Sequence, residues 1–306
     1  LKTAVTLCAA IDIGSNTTRV LVAEPVEGQL KKVMEQRAYT RINKALDGDG
    51  AIRAEKVEEV CDVVSTQVRL AQELGAEEIR AVATAAVREA SNGADAAATI
   101  GDAAGVPVEI LSDEEEGRLS FIGATKTLGH PVAGRVGVVD VGGGSTEVIL
   151  GSVPGGAEEV RSWQVGSGTL ANELISSDPP SAAEIRKVRD RIDDIFADVD
   201  IEHPAQAVAV GGSATSLRRL VGAVLEYETL ERGIRVLCGD PAADVARRFE
   251  LDPERVRILA TGVLLLEKVS ELLGQPLQIG KGGLREGIIL DLLNGSINGS
   301  PVRIAA

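Results

Sequence analysis

One phrase occurs twice in this chain. Ile11-Asp12-Ile13-Gly14-Ser15-Asn16-Thr17-Thr18-Arg19 returns 128 positions later as Val139-Asp140-Val141-Gly142-Gly143-Gly144-Ser145-Thr146-Glu147. The match runs on: Val20-Leu21-Val22 answers Val148-Ile149-Leu150, and Glu24-Pro25-Val26-Glu27-Gly28 answers Ser152-Val153-Pro154-Gly155-Gly156. Each copy reads as an apolar strand, an aspartate, a Gly-rich turn, a second strand, a Pro/Gly hairpin and a third strand. The third strands are expected at 32–39 and 159–165. A period this long is no solenoid; it implies two duplicated domains, which 306 residues accommodate.

Helices follow each set of strands. Residues 54–74 carry Val57, Val60, Cys61, Val64, Val68 and Ala71 on one stripe, an amphipathic helix. Short strands are expected at 79–83 and 108–111. A helix follows over 113–128, opened by Ser112 with Glu115 three residues on, the spacing of a capping box. In the second half the pattern predicts a helix over 181–199, a strand over 207–210, and a turn running into a helix over 211–221. A long apolar helix at 255–273, a strand at 277–280 and a helix at 284–293 complete it. This alternation predicts an α/β fold of two lobes, 1–124 and 125–283, facing each other across a cleft. The C-terminal helix, within 284–306, is expected to pack back on the first lobe.

Composition removes several classes of function. A net charge of −14 with 2% aromatic residues supplies neither the basic footprint nor the stacking surface of a nucleic-acid binder. No stretch approaches the length of a membrane span. Residues 1–10 faintly imitate a secretory leader, but the apolar run is short and leads directly into Asp12. Cys8, Cys61 and Cys238 lie far apart with no zinc spacing, and read as free thiols of a reducing compartment, the cytoplasm.

The chemistry concentrates at the repeated turns. Gly142-Gly143-Gly144-Ser145-Thr146 lets backbone N–H groups approach an anion, and Gly14-Ser15-Asn16-Thr17 matches it with hydroxyls and an amide as additional donors. Asp12 and Asp140 close their strands at the mouths of these turns, where carboxylates suit Mg²⁺ or Mn²⁺ beside phosphate; Glu147 is a third candidate ligand. In the run Asp113-Glu114-Glu115-Glu116, the helix dipole accounts for Glu114 and Glu115, whereas Glu116 is a candidate to hold an attacking water. The two histidines, His130 and His203, each precede proline and read as turn residues. No pair resembles an activated nucleophile, which leaves attack by water assisted by a metal and a carboxylate.

These residues resemble the exopolyphosphatase / guanosine pentaphosphate phosphohydrolase (Ppx/GppA) family, in its short two-domain form, of the actin-like ATPase superfamily. The resemblance rests on A-I-D-I-G-S-N-T-T-R (10–19), A-T-A-A-V-R (83–88), E-E-E-G-R-L-S-F (114–121), V-D-V-G-G-G-S-T-E (139–147), A-V-G-G-S-A-T (209–215) and G-L-R-E-G (283–287). It implies two actin-like (ribonuclease H-like) lobes and hydrolysis of a terminal phosphoanhydride of inorganic polyphosphate, or of guanosine pentaphosphate. By position it makes Glu116 the water-activating residue and Asp140 a magnesium ligand. Arg19, Arg88 and Arg285 become substrate cations, and Gly211, Gly212 and Ser213 a third loop. A homodimer stays open. Other readings of the same fold are a kinase and a non-catalytic nucleotide-binding protein. Members often carry an acid just before G-L-R-E-G where this chain has Lys281, and longer members carry further helical domains.

Overall fold

The computed structural model describes residues 7–26, 29–129 and 132–298. His130, hairpin positions 27–28 and the first six residues of the leader-like stretch lie outside them. The chain divides into two compact units, Leu1–Thr127 with Gly282–Ala306, and Leu128–Lys281.

The first unit contains β1 (Cys8–Ile13), β2 (Thr18–Val26), β3 (Gln29–Ala38), a 3₁₀ turn (Ile42–Lys44), α1 (Ala54–Glu73), β4 (Glu78–Ala83), α2 (Ala85–Arg88), α3 (Gly93–Ala104), β5 (Val108–Ile110) and α4 (Asp113–Lys126). Its sheet runs β3-β2-β1-β4-β5, with β1 antiparallel to β2 and parallel to β4. The second unit contains β6 (Arg135–Val141), β7 (Thr146–Ser152), β8 (Gly156–Trp163), α5 (Ser167–Leu174), α6 (Ala182–Ile195), β9 (Gln206–Val210), α7 (Gly211–Val221), β10 (Val224–Leu225), α8 (Tyr227–Gly239), α9 (Ala242–Phe249), α10 (Pro253–Arg257), α11 (Leu259–Leu273) and β11 (Leu277–Ile279). Its sheet runs β10-β11-β9-β6-β7-β8. Apart from β10, the order and directions repeat those of the first unit: two duplicated actin-like lobes. The last helix, α12 (Leu284–Asn298), belongs to the first unit.

Strand alternation explains how the first unit is layered. Ala9, Ile11 and Ile13 of β1 face a core shared with Val60, Val64 and Val68 of α1 and Ile100 of α3. Cys8 and Ala10 face the opposite side and pack with Leu119 of α4 and Ile288 and Ile289 of α12. Asp12 continues that second face to the end of the strand.

The third strands begin earlier than the sequence predicts, at Gln29 and Gly156. The apolar run at 255–273 is interrupted at Ile258, between α10 and α11. Helix α7 starts directly from its strand rather than after a turn. Helices α3, α5, α8 and α9 carry no signal that the sequence reading picked up. Ser112 does cap α4, accepting from Glu115 N at 3.2 Å. Glu115 does not return the bond, and the capping box is half made: its carboxylate grips Arg118 at 2.7 and 2.8 Å.

Helices α4 and α12 meet backbone to backbone. A Cβ on Gly287 would lie 1.8 Å from the Leu119 carbonyl oxygen, and one on Gly123 would lie 1.9 Å from that of Gly283. Rigid main chain cannot yield as a side-chain tip can. Gly287→Ala is therefore expected to cost about 3 kcal/mol or more, seen as a fall in thermal midpoint. Gly48→Ala, where a Cβ meets nothing within 4 Å, is the control.

Candidate active site

The two turns are closed by the same hydrogen bond. Gly14 N donates to Thr17 O at 3.0 Å, and Gly142 N donates to Ser145 O at 3.0 Å. In both, carbonyls are tied back into the protein. Ser15 O accepts from Asn43 N and Asn16 O from Arg41 N; Gly142 O accepts from Ser167 N, and Gly143 O from Gly168 N and Thr169 N. In a planar trans peptide the N–H points away from the C=O. Anchoring these carbonyls inward therefore turns the N–H groups of Asn16, Thr17, Gly143 and Gly144 outward, as an anion requires. Gly144, Gly142 and Asn16 are partly exposed, whereas Ser15, Thr17 and Ser145 are buried. The Thr146 hydroxyl is spent on Val165 O at 2.6 Å.

The braces of these turns escaped the sequence reading. Arg41 caps the 3₁₀ turn after β3 and Asn43 lies within it, and Gly166-Ser167-Gly168 opens α5 after β8. A Cβ at Gly166 would sit 2.5 Å from the Gly143 carbonyl carbon. A G-S-G triplet after a third strand was the available signal.

The register sorts the charged groups. In an antiparallel pair, directly opposed residues project to the same face. In the first unit Asp12 lies opposite Arg19; in the second Asp140 lies opposite Glu147. Glu147 is buried and accepts from Ser162 Oγ at 3.2 Å. Asp140 is partly buried at the end of β6, not on an exposed loop. Gly211, at φ +79°, begins α7 beside it: a Cβ there would lie 2.1 Å from Asp140 Oδ1, so only glycine permits this approach. Gly212 and Ser213 follow in the first turn of α7. The Ser213 side chain, expected at substrate, is instead fully buried against Gly262, because α7 turns it into the core.

Asp12 is drawn two ways. Burial pushes its carboxyl up, against the pull of Arg19 and Arg285, and the net direction is upward. Arg285 is nine-tenths buried and donates from Nη2 to Glu35 Oε1 at 2.8 Å. Burial also acts to raise Glu35, but Arg285 and Lys32 outweigh it and bring its carboxyl down to about 2, from an ordinary 4.5. A depressed carboxyl contributes stability that is fully present above pH 4.5 and is lost as pH falls toward 2. Acid titration of Glu35→Gln should accordingly lose less stability across that window than the parent; identical acid limbs would remove the pair from the acid response.

Glu116 has a partner that the sequence reading gave to substrate. Arg88 Nη1 donates to Glu116 Oε2 at 2.9 Å and to Leu111 O at 2.9 Å, and Nη2 donates to Asp113 Oδ1. Burial disfavours its charge, yet Glu116 and Asp113 hold the guanidinium more firmly protonated than usual. Arg88 thus clamps the start of α4. Glu116 is oriented by two groups, its helix and Arg88.

Among the described residues no three His, Cys, Asp or Glu side chains gather as a metal cage. Mg²⁺ beside phosphate needs only one or two carboxylates, with water and substrate oxygens completing its shell, so the Asp140–Glu147 pair fits it. A cavity of about 530 Å³ in the second unit, walled by Ile192, Leu230 and Leu264, shares no residue with this set. Lys281 is exposed. No described helix is long and apolar enough to cross a membrane.

The sequence matches the profile of the Ppx/GppA phosphatase family over residues 21–295. It is 30% identical over 308 aligned positions to "Exopolyphosphatase 1" of Mycobacterium leprae (strain TN), covering 95% of this chain and 90% of that protein. It is 28% identical to "Exopolyphosphatase 2" of Mycobacterium tuberculosis (strain ATCC 25618 / H37Rv), covering 94% and 97%. The crystal structure of the Aquifex aeolicus Ppx/GppA family member superposes with a TM-score of 0.81 at 26% identity, covering 97% of this chain and all of that one. The chain belongs to the Ppx/GppA phosphatase family and is a phosphoanhydride hydrolase.

Proposed function

We propose that this enzyme removes the terminal phosphate of inorganic polyphosphate and releases orthophosphate. The observation that carries the reading is the pair of turns whose carbonyls are anchored inward, so that N–H groups face outward at the mouth of each aspartate-ended strand. The relatives named exopolyphosphatase support it. In this reading each lobe's turn cradles phosphoryl oxygens, through the amides of Asn16 and Thr17 in the first and of Gly143 and Gly144 in the second, donating where charge develops. Glu116, fixed by Arg88, orients the attacking water and takes its proton as the bond to phosphorus forms. Asp140 and Glu147 would hold Mg²⁺ or Mn²⁺, which supplies neutralisation of phosphate charge. Asp12 faces a guanidinium rather than a second carboxylate, so the metal role expected of it passes to the other pair. Arg19 and Arg285 meet the substrate chain.

Guanosine pentaphosphate is the second substrate reading, favoured by the double name of the matched Ppx/GppA phosphatase family. Three cysteines outside any disulfide accord with a cytoplasmic site. The test is phosphate release from tripolyphosphate, long-chain polyphosphate, guanosine pentaphosphate and ATP in parallel, with and without Mg²⁺. Release from polyphosphate with no acceptor present is expected. Phosphate release from ATP alone would overturn the reading in favour of a nucleotide hydrolase, and transfer of phosphate to an added acceptor without release of orthophosphate would overturn it in favour of a kinase.

A further inference from the structure

The two lobes carry the same three-strand row with opposite chemistry. In the second unit the row across β6, β7 and β8 is Asp140, Glu147 and Ser162. In the first unit the row across β1, β2 and β3 is Asp12, Arg19 and Arg37. Arg37 thus projects to the same face as Arg19, one strand further out, about 5 Å along the row. Two like charges directly opposed across strands repel one another. No ion pair to Arg37 occurs among the described residues, and its side chain is exposed on the outer strand.

Arg285 rises from α12 onto this same face. Its Nη2 is held by Glu35, two residues before Arg37 and therefore on the same side of β3. Its Nη1 is buried and has no acceptor. A buried guanidinium N–H without an acceptor is costly, and the described residues supply none here. Beside the row, the cations Arg19, Arg37, Arg285 and Lys32 outnumber the carboxylates Asp12 and Glu35, a locally positive corner in a chain of net charge −14.

We propose that Arg37, beside the buried Arg285–Glu35 pair, forms an anion subsite at the β3 edge of the first lobe that takes phosphate groups beyond the one hydrolysed. The row leads from the first turn outward across the strands, so an extended phosphate chain held at Arg19 meets Arg37 next. Arg37 is then a residue that sets chain-length preference. This inference rests on the proposed hydrolase reading.

The experiment compares Arg37→Ala, Arg37→Lys and Arg69→Ala, the last removing an equal charge from α1, on the other face of the sheet. KM is measured for long-chain polyphosphate, tripolyphosphate and guanosine pentaphosphate, and equilibrium binding of long-chain polyphosphate by calorimetry. Loss of one charge-assisted phosphate contact should raise the long-chain KM and Kd about tenfold. The rise should be smaller for tripolyphosphate, and Arg37→Lys should recover part of the loss. An increase confined to guanosine pentaphosphate would reassign the subsite to that substrate and overturn its role in chain length. Equal losses in Arg37→Ala and Arg69→Ala would show only a weakened overall field and sink the proposal. If the unaltered enzyme releases no phosphate from polyphosphate, the hydrolase reading fails by itself, and the calorimetric comparison still decides whether Arg37 binds the anion.

Discussion

Replacing Glu116 by Gln should lower turnover by about 10²–10⁴ while substrate still binds, the range expected when a positioned general base is lost. The structure makes this substitution clean. An amide oxygen can still accept from Arg88 Nη1, which sits 2.9 Å from the present carboxylate, so the start of α4 need not move. What disappears is basicity. Binding of the polyanion should hold or tighten, because one negative charge has gone. Glu115→Gln is the comparison at the neighbouring position. It weakens the ion pairs of Glu115 with Arg118 and Arg80, which are partly exposed, and should cost about 1 kcal/mol or less with little effect on turnover. Equal rate losses at the two positions, or a loss at Glu116 matched by a fall in thermal midpoint, would mark the whole acidic run as a helix-start device.

The second large effect is expected at Asp140. Asp140→Asn keeps the size of the side chain beside Gly211, where there is no room for more. It removes one of two carboxylates that the strand register points to a single face. If this pair holds the divalent cation, turnover at saturating Mg²⁺ should fall by about 10³ or more, since such a metal supplies several kcal/mol of charge stabilisation. Mn²⁺ affinity, read by spin resonance without any turnover, should weaken in parallel. Asp12→Asn should leave Mn²⁺ affinity much less affected, because its cross-strand neighbour is Arg19. Equal Mn²⁺ losses at both aspartates would return Asp12 to the ligand set.

The contrast between those aspartates shows what the sequence discloses and what it withholds. The duplicated phrase located β1, β2, β6 and β7, because an apolar strand, an aspartate and a glycine turn are all local signals. It also held the difference between Arg19 and Glu147 in plain view, but only strand pairing reveals that each faces its aspartate. The start of α4 was legible from Ser112, a cap acting over three residues. Arg88 was visible as a motif arginine, yet its tie to Glu116 spans 28 positions and belongs to the tertiary fold. The bond from Arg285 to Glu35 spans 250. Helix α3, rich in alanine, gives little contrast between its faces, and the break at Ile258 is hidden by the apolar residues on either side of it.

The placement of α12 also bears on how the protein is made. Residues Ile288 and Ile289 close a core that begins at Cys8 and Ala10. The second unit is one continuous stretch, Leu128–Lys281, whereas the first is built from both ends of the described chain. On a ribosome, the second lobe can reach its native packing as soon as it emerges. The first, although synthesised earlier, must wait with one sheet face uncovered until α12 arrives. N-terminal domains ordinarily fold first, and an exposed apolar face invites aggregation in the interval. Here the order is inverted: the lobe translated first is the lobe completed last, and its helix α4 is seated against α12 only when synthesis has passed residue 289.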